Sequence, residues 1–411
     1  MTLMIERLSL HGDAIARGPD GPIYVPMALP GEEVTGEVVA GRIAHPRIVT
    51  PSPDRVRAPC PHYRTCGGCV LQHASDGFVA HWKADVVRLA LAGQGIEATM
   101  RGVKTSPPRS RRRATLSGRR TKKGVLVGFH ARASDTVIDL TECLVLRPEV
   151  MATLPALRAL TALGASRKAE LALTVTLSDA GAEVAAMGGK DLDPPLFEAL
   201  GRLAETADLA RLSWNGEPVA TRRPATQQFG TARVVPPPGA FLQATKEGEA
   251  ALLAAVEEAV GPAHRIADLF AGSGTFALPL SAGADVHAVE GDPQMIKALD
   301  AGWRGATGLH RITAEARDLF RRPLLLDELA RYDAVVIDPP RAGAEAQIAQ
   351  LAASAVPVIA HVSCNPVTFA RDARTLIHGG YRLDWVTVVD QFRWSAHVEL
   401  VARFSRGNTP S

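Results

Sequence analysis

The stretch AVPVIAHVSCNPVTFARD, residues 355–372, decides the fold. Residues 355–362 form an apolar run that is typical of a short buried strand. Pro366 forbids an ordinary continuation of that strand, and residues 368–378 have a helical pattern. Cys364 is therefore expected at the C-terminal end of a strand, where open α/β sheets place their chemistry. The alternative is a buried cysteine that acts only as a small hydrophobic residue.

The composition is that of an ordinary globular protein. The chain has 411 residues, enough for two or three domains, with 46% hydrophobic and 22% charged residues. We find no apolar run long enough to span a bilayer, and residues 1–7 lack the pattern of a signal peptide. A cytoplasmic protein with no membrane partner is therefore expected. The net charge of +3 does not by itself indicate a polyanionic partner.

The cysteines are few and clustered. Cys60, Cys66 and Cys69 form a C-x5-C-x2-C run, and only Cys143 and Cys364 lie elsewhere. An odd number of clustered cysteines in a cytoplasmic chain favours metal binding and catalysis over disulfides. Thiolates this close repel one another, and a bound cation offsets that repulsion. We therefore predict a metal site with Cys143 as the fourth ligand. Zinc and an iron–sulfur cluster both remain open, and a set of free buried thiols is the alternative.

A basic segment lies between the third and the fourth of these ligands. Residues 109–123 contain eight Lys or Arg residues and no acidic residue. Residues 113–117 and 124–129 alternate apolar and polar side chains like two paired strands, which predicts a basic hairpin. Charge runs are usually solvated surfaces, but a rigid hairpin with many unpaired cations favours phosphate binding.

Two further regions carry less information about function. Residues 1–50 alternate apolar and polar side chains with frequent Gly and Pro, which predicts several short strands in a small OB-like β-barrel. The aromatic side chains that stack on bases in such barrels are limited to Tyr24, so the role of this module stays open here. Residues 150–225 contain helical and strand-like stretches, such as residues 171–177, and are expected to be scaffold.

From about residue 245 helices and strands alternate. A helix over residues 249–260 precedes residues 265–276, which predict a strand, a Gly-rich turn and the start of a helix, where a ligand can approach the backbone closely. The next strand ends in Glu290, an acid placed to bind both hydroxyls of a ribose. A lone G-x-G is a weak match to NAD sites. The arrangement is similar to S-adenosylmethionine-dependent methyltransferases of the Rossmann-like class, and an unrelated nucleotide-binding α/β unit is the alternative.

A third strand, over residues 333–337, ends in the sequence DPPR, residues 338–341. This places the carboxyl group of Asp338 and a rigid turn at the mouth of the same cleft. In methyltransferases that modify exocyclic amines, a similar motif ends in an aromatic residue, so Arg341 counts against amine methylation. RNA cytosine-5 methyltransferases often carry a cysteine in this turn. None is present here, which leaves Cys364 as the thiol available to the cleft.

Five motifs together carry a family resemblance: FLQ (241–243), DLFAGSGTF (268–276), DPPRAG (338–343), SCNP (363–366) and HVE (397–399). In order and spacing they resemble the RNA uracil-5 methyltransferase family, over nearly the whole chain. With the four-cysteine set, the chain looks most like the iron–sulfur members that methylate ribosomal RNA. One departure is FRWSA, residues 392–396, which stands where relatives have a stretch rich in Pro, His and Thr.

The resemblance implies an α/β protein of three parts. Residues 1–52 would be an OB-like (TRAM-type) RNA-binding barrel. Residues 53–235 would be a central α+β RNA-binding domain with the basic hairpin, and the four cysteines would hold a [4Fe–4S] cluster that folds and braces it. Residues 236–411 would be the Rossmann-like methyltransferase domain.

The resemblance also assigns roles to three residues in the methylation of uracil at C5. Cys364 is the expected nucleophile that adds to uracil C6, because covalent addition splits one difficult step into two easier ones. It must react as a thiolate, so we expect neighbouring donors or a positive field to lower its pKa. Asp338 is expected to hold the uracil edge, and Glu399 to remove the C5 proton.

The expected cofactor is S-adenosylmethionine, and the residues expected to bind it are Gln243, Phe270, Thr275, Glu290, Asp318 and Asp338. Gln243 could also reach the uracil, but the resemblance favours the cofactor. A base inside a helix is out of reach, so the target uridine must be looped out or flipped. The expected partner is RNA, with 23S ribosomal RNA favoured, and no obligate protein partner is expected. The alternatives are the same chemistry on transfer RNA and a non-catalytic RNA-binding protein.

Overall fold

The computed structural model describes residues 2–407, which form three large sheets and one small one. The N-terminal sheet has five short antiparallel strands in the order β3-β2-β1-β4-β5. A bridge between Tyr24 and Arg42 joins its β3 edge to the segment that follows β4. Its strands are β1 (Thr2–Leu8), β2 (Ala14–Gly18), β3 (Gly21–Val25), β4 (Glu33–Thr35) and β5 (Arg47–Thr50). The short strands expected for residues 1–50 are therefore present, whereas closure into a barrel and a TRAM-type role remain predictions.

A helix and a strand follow before the central region begins: α1 (Asp76–Ala92) and β6 (Met100–Thr105). The central region is a seven-stranded sheet in the order β13-β12-β11-β10-β7-β8-β9, with three helices. Its elements are β7 (Arg113–Arg120), β8 (Val125–His130), β9 (Val137–Asp139), α2 (Pro148–Ala152), α3 (Leu154–Gly164), β10 (Leu171–Ser178), β11 (Gly181–Met187), α4 (Pro194–Thr206), β12 (Arg211–Trp214) and β13 (Glu217–Thr221). β7 pairs with β8, so the hairpin expected around the basic turn is confirmed.

A small hairpin, β14 (Gln227–Phe229) and β15 (Ala232–Val234), leads into the C-terminal region, where helices and strands alternate. The elements of that region are α5 (Lys246–Val260), β16 (Arg265–Leu269), α6 (Ala277–Leu280), β17 (Asp285–Glu290), α7 (Pro293–Arg304), β18 (Ile312–Ala316), α8 (Leu326–Leu329), β19 (Ala334–Ile337), α9 (Glu345–Ala353), β20 (Val358–Ser363), α10 (Pro366–His378), β21 (Tyr381–Asp390) and β22 (Glu399–Arg406).

These strands form an eight-stranded sheet in the order β18-β17-β16-β19-β20-β22-β21-β6. Neighbouring strands run parallel, except that β22 is antiparallel to both of its neighbours. Parallel strands of this kind are buried on both faces, and β19 is accordingly fully buried along its length. Because β22 runs the other way, its first residue lies at the edge where the parallel strands end.

The eighth strand comes from the N-terminal half of the chain. β6 pairs in parallel with β21, and α1 packs against α10 and β6. The sequence-based boundary placed residues 53–235 in one central domain, whereas this part of them belongs to the C-terminal sheet and its helical layer. Alternation along six residues predicts a strand but not its partner, because pairing depends on tertiary contacts.

One continuous core cluster joins the N-terminal sheet to the C-terminal sheet. It includes Leu29 and Ile43 near the N-terminus, Val87 of α1, and Phe369 and Phe404 of the C-terminal region. Two further clusters fill the other face of the C-terminal sheet and the central region. Among residues 2–407, no helix has the length and apolar character that crossing a membrane requires.

Candidate active site

The ends of three neighbouring strands bring the predicted catalytic side chains to one edge of the C-terminal sheet. In register, Leu269 lies beside Ile337, and Ile337 lies beside His361. Asp338 therefore follows β19, and Cys364 follows β20, next to each other at this edge. Leu400 of β22 pairs with Ser363, so Glu399 lies beside Cys364. The structure thus assembles Asp338, Cys364 and Glu399 as the sequence predicts.

Cys364 occupies the junction between β20 and α10. The next residue, Asn365, caps α10 by accepting the Val367 N–H at 3.1 Å, and Pro366 begins the helix. The Asn365 amide also donates to the Arg341 carbonyl at 2.9 Å, which ties this junction to the DPPR turn. The thiol is half-buried, and its position is fixed from both sides.

The surroundings of Cys364 correct one expectation. Burial raises the pKa of its thiol to about 11, and the carboxyl groups of Glu399 and Asp338 act in the same direction. Arg341 acts against them with a smaller effect. The expectation that neighbouring groups lower this pKa is therefore wrong for the protein without ligands, because two acids and low exposure outweigh one cation.

The two acids that face the thiol have raised pKa values themselves. Burial raises the pKa of Glu399 to about 8, with the Asp338 charge acting in the same direction and the Gln391 amide against it. Burial also raises the pKa of Asp338 to about 7, although its side chain keeps some solvent contact through the cleft. Three acidic groups that share one cleft cannot all ionise easily, so protons are held there near neutral pH.

Gln391 connects this cleft to the predicted cofactor residue Gln243. Its Nε2 group donates to Gln243 Oε1 at 2.5 Å and to Glu399 Oε2. Because the Gln243 oxygen is occupied in this way, its own NH2 group is left to donate to a ligand. All three side chains are buried.

A buried ion pair holds the segment that carries Gln391. Lys83 of α1 donates to Asp390 Oδ1 at 2.5 Å, to the Phe392 carbonyl at 3.1 Å and to the His397 carbonyl at 2.8 Å. Neither charged side chain is exposed. All three protons of the ammonium group are therefore donated to the end of β21 and to the segment between β21 and β22. Trp394 extends the attachment, because its carbonyl accepts the N–H groups of Val70 and Leu71 at 2.8 and 3.0 Å.

Lys83, Asp390 and Gln391 were not recognised from the sequence. A lysine in an amphipathic helix is ordinarily a surface residue, so Lys83 gives no local signal of burial. Asp390 and Gln391 come immediately before residues 392–396, the stretch that differs from the family pattern. This position was the one signal in the sequence that could have pointed to them.

The Gly-rich turn after β16 has the backbone of a ligand-binding loop. Gly272 and Gly274 have φ of 57° and 98°, and Phe270, which is not a glycine, has φ of 64°. A Cβ at position 274 would lie 2.7 Å from Leu278, so only glycine fits there. The strained backbone at Phe270 marks this turn as a functional loop.

Two buried polar groups at this loop, in the part of the chain that the structure describes, have hydrogen-bonding capacity left for a ligand. Within residues 2–407, the two carboxylate oxygens of Asp268 and the Ser273 hydroxyl have no hydrogen bond of ordinary geometry. The pKa of Asp268 is raised well above its usual value by burial and by the Asp338 and Glu290 charges, while the Ala277 N–H acts against them. Such groups fit the side of a pocket that a polar cofactor completes.

The remaining predicted cofactor residues lie around the same loop. Glu290 ends β17 and accepts the Gly272 N–H at 3.0 Å and the Asp292 N–H at 2.9 Å, which leaves one lone pair of each oxygen for a ribose. Thr275 is half-buried in the loop. Asp318 is exposed beyond β18 and accepts the Phe320 N–H at 3.0 Å. The Phe320 ring lies 5.5 Å from the Phe270 ring.

The four other cysteines line one cavity of ≈ 440 Å³: Cys60, Cys66, Cys69 and Cys143. Burial raises the pKa of Cys69 to about 12, and the other three thiols act in the same direction. The far wall of the cavity is formed by residues of the segment between β21 and β22, including Phe392 and His397. Within residues 2–407, no three His, Cys, Asp or Glu side chains surround a single point closely enough to hold one metal ion.

The basic segment contains both paired arginines and exposed lysines. Arg112 is buried, donates to Glu249 of α5 at 2.5 Å and to the Gln243 carbonyl at 3.2 Å, and Arg113 donates to the carbonyls of Gly239 and Ala240. The expectation that the hairpin carries only unpaired cations is therefore wrong at its base, where arginines attach the central region to the C-terminal region. Lys122 and Lys123 at the tip are exposed.

The chain was compared with family models, curated proteins and solved structures. The model described as tRNA (uracil-5-)-methyltransferase matches residues 305–406, a segment that contains Asp338, Cys364 and Glu399. An uncharacterized RNA methyltransferase of Brucella suis is 45% identical over 98% of both chains. The 23S rRNA (uracil(1939)-C(5))-methyltransferase RlmD of Chromohalobacter salexigens is 34% identical over 99% of this chain and 90% of that protein.

One solved structure is similar over nearly its whole length. The tRNA (uracil-54, C5)-methyltransferase of Pyrococcus abyssi, in complex with S-adenosyl-L-homocysteine, superposes with a TM-score of 0.74. It covers 98% of this chain and 99% of its own, at 22% sequence identity. At that identity the likeness shows the fold alone.

Proposed function

Because the chain belongs to the RNA uracil-5 methyltransferase family, we propose that it methylates C5 of a uridine in ribosomal RNA, with 23S RNA favoured, through a covalent Cys364 adduct. The observation that carries this proposal is the meeting of Cys364, Asp338 and Glu399 at one sheet edge, beside the Gly-rich turn. A thiol flanked by two acids in a cleft suits addition to a pyrimidine ring followed by proton removal.

In the proposed mechanism, the Cys364 thiolate forms a bond to uracil C6, and the electron pair of the C5=C6 bond moves into an enolate. S-adenosylmethionine, when bound, would supply the methyl group that C5 takes up, as the sulfur–methyl bond breaks and S-adenosylhomocysteine leaves with that electron pair. Glu399 then accepts the C5 proton, the electrons of that C–H bond restore C5=C6, and the S–C6 bond breaks to release the thiolate.

Asp338 and Gln243 take positioning roles in this proposal. Asp338 lies in the turn that faces Cys364, where its carboxyl group can hydrogen-bond the uracil edge and hold the ring against the thiol. Gln243 presents an NH2 donor, which suits the carboxylate of the methionine part of the cofactor. Phe270, Thr275, Glu290 and Asp318 would hold the adenosine part, with Asp338 close by.

A [4Fe–4S] cluster in the four-cysteine cavity is part of this proposal. It is supported by the four cysteines lining a single cavity and by the mutual repulsion of their thiolates, which a bound cationic group would offset. Cys60, Cys66, Cys69 and Cys143 would hold the cluster, whose role would be to brace the cavity walls. One of these walls is the segment that leads to Glu399, so the brace would extend from the central region to the active site.

The RNA would lie across the active-site edge and reach the tip of the β7–β8 hairpin, where exposed lysines can contact phosphates. The five-stranded N-terminal sheet would add a TRAM-type contact. Ribosomal RNA is favoured because the relative that is 34% identical over nearly the whole chain acts on 23S RNA. Transfer RNA is the second candidate, favoured by the names of the matched family model and of the solved structure. Either substrate would place its work in the cytoplasm.

A trapping assay tests this proposal. The purified protein is incubated with S-adenosylmethionine and 5-fluorouridine-substituted RNA, with ribosomal fragments and transfer RNA in separate reactions. Fluorine at C5 cannot leave as a proton does, so the enzyme should stall as a covalent complex that withstands denaturation. A complex with ribosomal RNA that Cys364→Ala does not form is the expected result. A complex with transfer RNA instead would reassign the substrate, and none with either RNA would overturn uracil chemistry.

A further inference from the structure

Gln391 is a buried amide that neither the family motifs nor the proposed mechanism uses. It is 1% exposed, and it lies between Gln243, 3% exposed, and Glu399, 6% exposed. A polar side chain removed from water in this way costs free energy unless each of its groups has a partner. The partners of Gln391 therefore indicate what holds it there.

Its amide oxygen is fixed by the backbone of a distant segment. The Ala244 N–H donates to it at 2.7 Å and the Thr245 N–H at 3.4 Å. Because backbone N–H groups can only donate, they determine which end of the amide carries the oxygen. The NH2 end must then face the other way.

The NH2 end has two hydrogens and two acceptors. One acceptor is Gln243 Oε1 at 2.5 Å and the other is Glu399 Oε2. Both N–H groups of the Gln391 amide are therefore used. One donates to Gln243, on the methyl-donor side, and the other donates to Glu399, on the proton-acceptor side. Replacing it with an apolar side chain of the same length would leave both acceptors without a partner.

We propose that Gln391 is a positioning residue that orients Glu399 as the base and favours its ionised form, and that fixes Gln243 as a donor towards the cofactor. The inference rests on the proposed uracil-5 methylation, because it assigns a role within the same site. The hydrogen bond from Gln391 stabilises the charged form of the carboxylate, which is the form that accepts the C5 proton.

The other groups around Glu399 show why such a donor is needed. Asp338, beyond β19, and Asp390, at the end of β21, both place negative charge near it, and burial acts in the same direction. The Cys364 thiol faces it from the end of β20, and Lys83 of α1 is the cation that acts on it from the other side. Lys83 is already engaged with Asp390 and two carbonyls, so Gln391 is the direct donor to Glu399.

The test is the variant Gln391→Met, which keeps the length of the side chain and removes the amide. Methyl incorporation from labelled S-adenosylmethionine and tritium release from RNA with [5-³H]uridine are followed in a single turnover across pH. At saturating S-adenosylmethionine, which offsets any weaker cofactor binding through Gln243, methyl incorporation should stay within about threefold of the wild type. Tritium release should fall about tenfold at neutral pH, and it should recover as pH rises, because the base then ionises without its donor.

Gln347→Met is the matched control. Gln347 is equally buried, and its amide bonds only the Leu324 backbone, at 2.8 and 3.3 Å, with no hydrogen bond to Gln243, Cys364 or Glu399. Gln347→Met makes the same chemical change and should leave the ratio of tritium release to methyl incorporation unaltered. Gln391→Asn, which keeps the amide but is too short to reach both acceptors, should give the same selective loss with less disturbance of packing.

The outcomes separate this inference from the function on which it rests. Equal slowing of both steps at every pH in both Gln391 variants would show a merely structural role and overturn the inference. A wild-type protein that releases no tritium and forms no adduct would instead overturn the proposed function. A selective and pH-dependent loss of tritium release supports the role assigned to Gln391.

Discussion

The five cysteines of this chain lie in two regions, the four-cysteine cavity and the cleft, and the groups that surround the buried thiols differ between them. In the four-cysteine cavity, burial raises the pKa of Cys69 to about 12, and its acidic neighbours are other thiols. In the cleft, burial raises the pKa of Cys364 to about 11, but its neighbours are Asp338 and Glu399. Thiols that repel one another can be ionised together only with a permanently bound cationic group. Carboxyl groups whose pKa values are about 7 and 8 can take up protons themselves.

Because of this difference, the cysteines in the cavity are suited to holding a permanently bound group, and the cysteine in the cleft is suited to a reaction that repeats. In the cleft, the charge of Cys364 depends on the protonation of its neighbours and on the charge of what binds. The two regions are nevertheless attached, because residues 392–397 contribute to the cavity wall and lead directly to Glu399. The predictions below test how far the two regions can be separated.

The largest expected effect is that Cys364→Ala and Cys69→Ala lose different properties. Cys364→Ala should lose methylation by more than about 10⁴-fold, because no other thiol reaches the cleft, and should keep its iron content. Cys69→Ala should lose iron and sulfide and unfold at lower temperature, because metal binding is coupled to folding. Methylation rate, iron analysis and thermal unfolding are the measurements. If Cys364→Ala lost its iron, the division between the two regions would fail.

Within the cleft, Glu399→Gln should separate the early steps from the late ones. The amide keeps the shape of the side chain but cannot accept the C5 proton, so overall turnover should fall by about 10²- to 10⁴-fold. The methylated Cys364 adduct should accumulate with unsubstituted RNA, and a denaturing gel would detect it. A variant that turned over slowly without any adduct would show that Glu399 acts before proton removal.

The attachment between the two regions can be tested at Lys83. Lys83→Met leaves the Asp390 carboxylate buried without its partner, so it should lower the free energy of unfolding by about 3–5 kcal/mol. It should also slow tritium release, because the segment that carries Gln391 loses three hydrogen bonds.

Arg211→Met is the matched control, because Arg211 pairs with buried Glu183 in the central sheet. It should cost similar stability, measured by denaturant unfolding, without changing the ratio of tritium release to methyl incorporation. Equal kinetic effects of the two variants would mean that Lys83 contributes stability alone.

The smallest effect concerns the charge of Cys364 itself. A thiol with a pKa of about 11 is protonated at neutral pH, and it becomes reactive only as pH rises towards that value. The sulfonium of S-adenosylmethionine carries a positive charge and S-adenosylhomocysteine does not. The first should therefore move the pH profile of iodoacetamide alkylation to lower pH by about one unit relative to the second. Identical profiles would show that the cofactor charge does not act on the thiol.

The sequence was sufficient for everything that depends on local order. The strand before Cys364, the helix after it and the turns that carry Phe270 and Asp338 follow from apolar periodicity and the placement of Gly and Pro. The register of parallel strands then brings their ends together without further information.

The sequence did not reveal what depends on tertiary contacts. Lys83 and Asp390 lie far apart in the chain, and neither is unusual until they meet in the interior. The direction of the Cys364 pKa shift was wrong for the same reason, since the number of acids and the degree of burial around a thiol follow from packing alone. The arginines at positions 112 and 113 were expected to be free because the sequence does not show which carbonyls approach them.

The strand β6 bears on how the protein is made. Its partner β21 lies near the opposite end of the chain, and Met100 meets Val386 in their register. During synthesis, β6 leaves the ribosome long before β21 exists, and until then neither of its edges has its partner in this sheet. Contacts so distant in sequence slow folding and prolong the exposure of strand edges to aggregation. A fragment that began after the central region would lack β6 and leave the edge of β21 open, so the methyltransferase half should express poorly without the residues that precede it.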